Sequence, residues 1–143
     1  MSADSCFVDT NILLYAADPS ETRKHEIAKS LVENLWRSQT GVISTQVLQE
    51  FCFNLRRKFR PQLSIAETVE RVSNYLSWPT VTNTVESTIA ALEIEAEQQL
   101  SFWDALIVNA AQVSNSNILY TEDLNHGQIF GSVRVVNPFL ETP

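Results

Sequence analysis

Phe7-Val8-Asp9-Thr10-Asn11 is the stretch that decides how this 143-residue chain reads. Cys6-Phe7-Val8 is a short apolar run, the pattern of a buried strand. Asp9 stands where that run ends, and Ile12-Leu13-Leu14-Tyr15-Ala16-Ala17 then takes up a helical pattern. An acid at such a strand end points into the crevice where open α/β sheets bind ligands. Its ordinary role would be an N-cap. Asn11 could cap the same helix and free Asp9 for other work.

Outward from this stretch, strands and helices alternate. Strands are expected at Ser5 to Val8, Gly41 to Ser44, Thr80 to Thr82, Asn117 to Tyr120 and Val133 to Val136. Helices are expected after Asn11, from Glu21 to Ser38, from Thr45 to Arg57 or Lys58, from Ser64 to near Leu76, from Thr84 to Leu100 and from Phe102 to Ser114. Ser64-Ile65-Ala66-Glu67 has the spacing of a capping box. Short apolar strands separated by helices pair in parallel and are covered on both faces. The expected fold is therefore α/β, a three-layer α/β/α sandwich around a central parallel sheet of four to five short strands. Length and composition fit one domain, residues 1–143, with 44% hydrophobic and 19% charged residues.

No apolar run approaches the roughly 20 residues of a membrane span. Met1-Ser2-Ala3-Asp4 lacks the basic and apolar regions of a secretion signal. Cys6 and Cys52 lie in apolar runs and read as small hydrophobes rather than a disulfide. A cytoplasmic location is the expectation. The net charge of −7 argues, by itself, against nucleic acid. Yet the positives are uneven: Arg56, Arg57, Lys58 and Arg60 are four of the 10 basic residues. They read either as a solvated helix end facing the C-terminal dipole or as a patch that steers phosphate.

Three further acids occupy unusual places. Glu50 lies in a helix, in a polar stripe Gln46, Glu50, Asn54 at i, i+4, i+8 beside the apolar face. Asp104 interrupts Phe102-Trp103 and Ala105-Leu106-Ile107-Val108, where an unpaired buried carboxylate costs several kcal/mol. Ser101 to Asp104 also has capping-box spacing. Asp123 follows a strand within Thr121-Glu122-Asp123-Leu124-Asn125-His126-Gly127, a plausible turn. Each acid has a plain structural role available. Together they make a carboxylate set suited to a hard cation, Mg²⁺ or Mn²⁺. His25 and His126 are too few and too scattered for zinc.

The four segments resemble, in order and spacing, the motifs of PIN domains. Phe7 to Ala16 is similar to the first, Thr45 to Phe51 to the second, Ser101 to Val108 to the third and Thr121 to Gly127 to the fourth. Their spacing and the chain length resemble the VapC-type toxins of bacterial toxin–antitoxin pairs. The resemblance implies a metal-dependent endoribonuclease whose acids fall on Asp9, Glu50, Asp104 and Asp123, supported by Thr10, Asn11, Thr121 and Asn125. It implies Mg²⁺ or Mn²⁺ as cofactor, RNA as substrate, a homodimer, and a cognate antitoxin filling the active-site groove. Many members carry an Asp where this chain has Asn125, which leaves a second metal ion open. Arg56, Arg57, Lys58 and Arg60 would rim the acidic pocket and hold RNA. A catalytically inactive PIN-like domain working through partner binding is the alternative. A phosphotransfer domain of the haloacid-dehalogenase type, with Asp9 as nucleophile, wants a second Asp where Asn11 stands.

Overall fold

The computed structural model describes residues 4–140. The expectation of no leader, which rests on Met1 to Asp4, and the outer limits of the domain therefore fall largely outside the described residues. Strands β1 (Cys6–Val8), β2 (Gly41–Ser44), β3 (Thr80–Val81), β4 (Ile118–Tyr120), β5 (Ile129–Phe130) and β6 (Val133–Val136) form one sheet in the order β3-β2-β1-β4-β6-β5. The first three, β4 and β6 pair in parallel. The parallel part thus has five strands, within the expected four to five.

The two-residue edge strand β5 is an addition. It pairs antiparallel to β6, with Phe130 opposite Val133, so Gly131-Ser132 is a two-residue hairpin loop. Gly131 has φ +62°, the left-handed backbone such a turn needs and that glycine adopts freely.

Helices are α1 (Thr10–Ala17), α2 (Thr22–Ser38), α3 (Thr45–Lys58), α4 (Ile65–Ser73), α5 (Val85–Gln98) and α6 (Phe102–Val113), with a 3₁₀ turn at Pro19–Glu21. Ser64 and Glu67 form the expected capping box of α4. The chain winds from β1 outward through β2 to β3, then returns to place β4 and β6 on the other side of β1. Right-handed crossovers in opposite directions put α1–α4 on one face of the sheet and α5–α6 on the other. Within these layers α1 packs on α2 and α3, and α5 packs on α6.

The strands are apolar throughout because both faces are covered. Phe7, Val8, Ile43, Leu119, Val133 and Val135 are completely buried. Cys6 and Cys52 are both free, Cys6 buried and Cys52 half-buried. At the amino end of β2, Gly41 lies under the Trp78 ring. A Cβ added there would come within 2.5 Å of that ring. Among the described residues no helix is long and apolar enough to cross a membrane.

The strand order reverses between β1 and β4. In a doubly wound sheet the crevice beyond the carboxyl ends at such a point is where ligands bind. Asp9 follows β1, and Thr121 to Asp123 follow β4.

Candidate active site

Asp9 has extended backbone (φ −76°, ψ 159°) and is the N-cap of α1. Its Oδ1 accepts the Thr10 N–H at 2.7 Å, and its Oδ2 accepts the Thr121 hydroxyl at 2.8 Å. Its own N–H donates to Tyr120 O at 3.0 Å, continuing the β1–β4 ladder one step past the strand. Asn11 was the expected alternative cap, and this is not what it does. Its Nδ2 donates to Asp123 Oδ2 at 2.9 Å and to Thr121 Oγ1 at 3.4 Å. Capping and site work are compatible at Asp9, because a carboxylate has about four lone-pair sites and these two bonds leave room for more.

Thr121, fully buried, ties the strand exits together. Its hydroxyl proton goes to Asp9, so its oxygen accepts from the Asp123 N–H at 3.1 Å and from Asn11. Thr10 does the same toward α3, donating its hydroxyl to Glu50 Oε1 at 2.9 Å. Glu50 reaches the site because α3 starts at the exit of β2, where Ser44 caps it by accepting the Val47 N–H. The stripe Gln46, Glu50, Asn54 then faces inward.

Asp104 enters from the first turn of α6. Ser101 accepts its N–H at 3.1 Å, but the reciprocal side-chain bond of a capping box forms in α4 and α5 and not here. The Asp104 carboxylate is thereby left to the cavity. That cavity has a volume of about 210 Å³ and is lined by Asp9, Thr10, Asn11, Leu14, Gln46, Glu50, Asn54, Trp103, Asp104, Ile107 and Asp123. All four acids singled out in the sequence meet there, with Thr10 and Asn11.

Asn125 does not join them. It is exposed in the turn after β4, its backbone oxygen accepts the Gln128 N–H at 3.1 Å, and its side chain lies outside the cavity lining. Glu122 turns the other way, accepting from the Tyr15 hydroxyl at 2.6 Å and from Lys24 at 2.8 Å. The basic cluster also divides. Lys58 pairs with Asp18 at 3.0 Å and approaches Glu21 at 3.9 Å. The Arg60 guanidinium donates to the carbonyls of Arg57 and Phe59 at the end of α3. Arg56, Arg57 and Arg60 surround a separate depression, and none of the four lines the acid cavity.

Burial, followed by the nearby Asp123 and Glu50 charges, pushes Asp9 up to about 7, against the pull of its Thr121 and Thr10 hydrogen bonds. Burial and the charges of Asp104 and Glu122 raise Asp123 as well, opposed by the Asn11 bond. Raised carboxyls facing one another mark a place that holds excess negative charge. Two amide oxygens in the lining, Asn11 Oδ1 and Gln46 Oε1, are buried without a hydrogen-bond partner. Orphaned acceptors of this kind need a donor or a cation.

The donor set is entirely oxygen and mostly anionic, the chemistry of a hard divalent ion. Among the described residues no three His, Cys, Asp or Glu side chains stand close enough to enclose an ion directly. An ion held by one or two of these carboxylates would keep several of its waters. Gln46 was visible in the sequence as part of the polar stripe. Trp103 and Leu14 carried no polar signal and were not singled out.

A family model described as PIN domain matches residues 6–129. A search of curated proteins finds no match. Among solved structures, a toxin–antitoxin complex from Klebsiella pneumoniae superposes with a TM-score of 0.68 at 19% identity, covering 94% of this chain and 98% of that one. Mycobacterium tuberculosis VapC20, described as a sarcin–ricin loop cleaving toxin, gives 0.61 at 20% identity, with coverage of 80% and 87%. VapBC2 from Rickettsia felis, bound to a DNA fragment from its promoter, gives 0.62 at 18% identity, with coverage of 91% and 96%. At these identities the structural matches speak for the fold, and the family model spans most of the chain. The chain belongs to the PIN domain family.

Proposed function

We propose that this chain is a divalent-metal-dependent endoribonuclease acting as the toxin of a toxin–antitoxin pair. The observation that carries the proposal is the meeting of Asp9, Glu50, Asp104 and Asp123, from four separate segments, around one cavity at the reversal of the sheet. Likeness to toxin–antitoxin structures supports the biological setting.

Asp9 and Asp104 would hold the ion directly, with Asp123 and Glu50 reaching it through bound water. Bound there, Mg²⁺ or Mn²⁺ would polarise the scissile phosphate and lower the pKa of an attacking water. Thr121 and Thr10 fix the Asp9 and Glu50 carboxylates by donating to them. Asn11 holds Asp123. Glu50, tied at one oxygen by Thr10, has its other oxygen free to take a proton from water. The positioning falls to the first turns of α1 and α6 and the middle of α3, rigid elements that limit misalignment.

The test is cleavage of cellular RNA by purified protein in Mg²⁺ or Mn²⁺, compared with excess EDTA and with Asp9→Asn. Cleavage that disappears in both controls supports the proposal. Equal cleavage in EDTA, or full activity of Asp9→Asn, overturns it. A protein that cuts no RNA under any of these conditions would instead be the inactive partner-binding alternative. The antitoxin, the homodimer and the cytoplasmic setting belong to the same reading. Co-purification with the product of an adjacent gene, and the mass in solution, test the first two.

A further inference from the structure

Trp103 is the one large aromatic side chain among the residues lining the acid cavity, and it is 61% exposed. It is nevertheless held in place. Its ring packs edge-on against Phe102, with centroids 5.2 Å apart and planes at 78°. Phe102 in turn sits against the small buried cluster of Ala91, Ala105 and Leu106. The Trp103 backbone carbonyl accepts from Gln46 Nε2 at 3.4 Å, a link from α6 to α3. Trp103 and Asp104 both line the cavity, which puts the indole beside the acids.

Apart from the Phe102 contact, this apolar plane beside the carboxylates is left largely to solvent. A nucleic-acid strand brings both halves of a partner for such a site. Its phosphate would meet the cation that the acids hold, and its base needs a flat apolar surface. Stacking on an aromatic side chain requires a base free of its helix, and every base has a suitable face.

We propose that Trp103 is a positioning residue that stacks the base adjoining the scissile phosphate. This rests on the ribonuclease reading above. The stacked base would fix the strand across the cavity, with one phosphodiester beside the ion that Asp9 and Asp104 would hold.

The experiment measures binding directly, in an Asp9→Asn background that keeps the strand intact. The probes are a labelled oligouridylate, the same ribose-phosphate oligomer without bases, and an RNA duplex. The expected result is that Trp103→Ala weakens oligouridylate binding roughly 5- to 150-fold, the range for one stacked base. It leaves the base-free oligomer unaffected, and Trp103→Phe restores most of the loss. The duplex binds more weakly than the single strand to the Trp103-containing protein only. Equal losses on oligouridylate and base-free oligomer, or none on either, overturn the stacking role. Retained coupling in a protein that cuts no RNA in Mg²⁺ or Mn²⁺ would uphold the stacking role and remove the nuclease reading instead.

Discussion

At the carboxyl end of the strands, Asp9, Glu50, Asp104 and Asp123 face one cavity. At the amino end, Trp36, Tyr75 and Trp78 stack on one another around Gly41, with ring centroids 5.2 to 5.7 Å apart. Phe51 extends the aromatic group from α3 at 5.6 Å from Tyr75. The two ends spend the same chain on opposite ends of the physical scale. The aromatic end removes apolar area from water and leaves little charge to balance. The acid end gathers carboxylates, raises their protonation and leaves amide oxygens without partners. Proteins carry such local conflict where a ligand is to relieve it. The difference teaches that stability and chemistry here should separate cleanly by mutation.

The largest effect is expected at the aromatic end. Trp78 is 6% exposed, and Trp78→Ala should cost about 3–5 kcal/mol of folding stability. Denaturant unfolding would show it, while the protein that remains folded cuts RNA normally. At the other end Asp104→Asn should do the reverse. Cleavage should fall by about 10²-fold or more, the scale of lost metal ligation. Melting in EDTA should be unchanged or higher, since one repelling charge is gone. If both substitutions lowered stability alike, the contrast between the ends would be broken.

Smaller effects sharpen it. Gly41→Ala should cost about 1–3 kcal/mol, because the added Cβ meets an aromatic ring that cannot shift freely. The acid end should respond to pH in the metal-free protein. Asp9 in the fold is raised to about 7, above its unfolded value of about 3.9. Between these values the folded state binds more protons than the unfolded state, so stability falls as pH rises and levels off above about 7. Melting in EDTA should therefore rise from pH 8 to pH 5, and Asp9→Asn should flatten the slope. Added Mn²⁺ should be bound less tightly at the acid end of that range, since protons compete for the same oxygens. The smallest effect belongs to Glu122. It points to Tyr15 and Lys24, so Glu122→Gln should leave cleavage intact and cost no more than about 1 kcal/mol.

Much of this was legible in the chain because the signals are local. The alternation of apolar strands and helices indicated four to five parallel strands, and five are present in the order read. The edge strand β5 escaped because two residues are too short for a period, although Gly131-Ser132 is a hairpin signature. Asp9 as cap was legible, and handing that role to Asn11 was not right. A cap is decided by backbone geometry at one residue, and Asn11 answers to Asp123, 112 positions away. The basic run looked uniform in sequence, but Lys58 faces Asp18 while Arg60 closes its own helix. One turn of helix sends successive side chains in different directions, so adjacency in sequence does not make a patch. Asn125 failed to join the cavity for a similar reason: the turn after β4 carries its side chain outward.

The bond between Thr121 and Asp9 spans 112 positions. Its consequence is temporal. Of the four acids a ribosome delivers Asp9 first and Asp123 last, and β4 cannot pair with β1 until it has emerged. Until then a chain carries three of the four acids at most, without the β1–β4 pairing that brings them to one cavity. On the nuclease reading, the chain is harmless until its last acid has emerged, by nothing more than the order in which its strands are added.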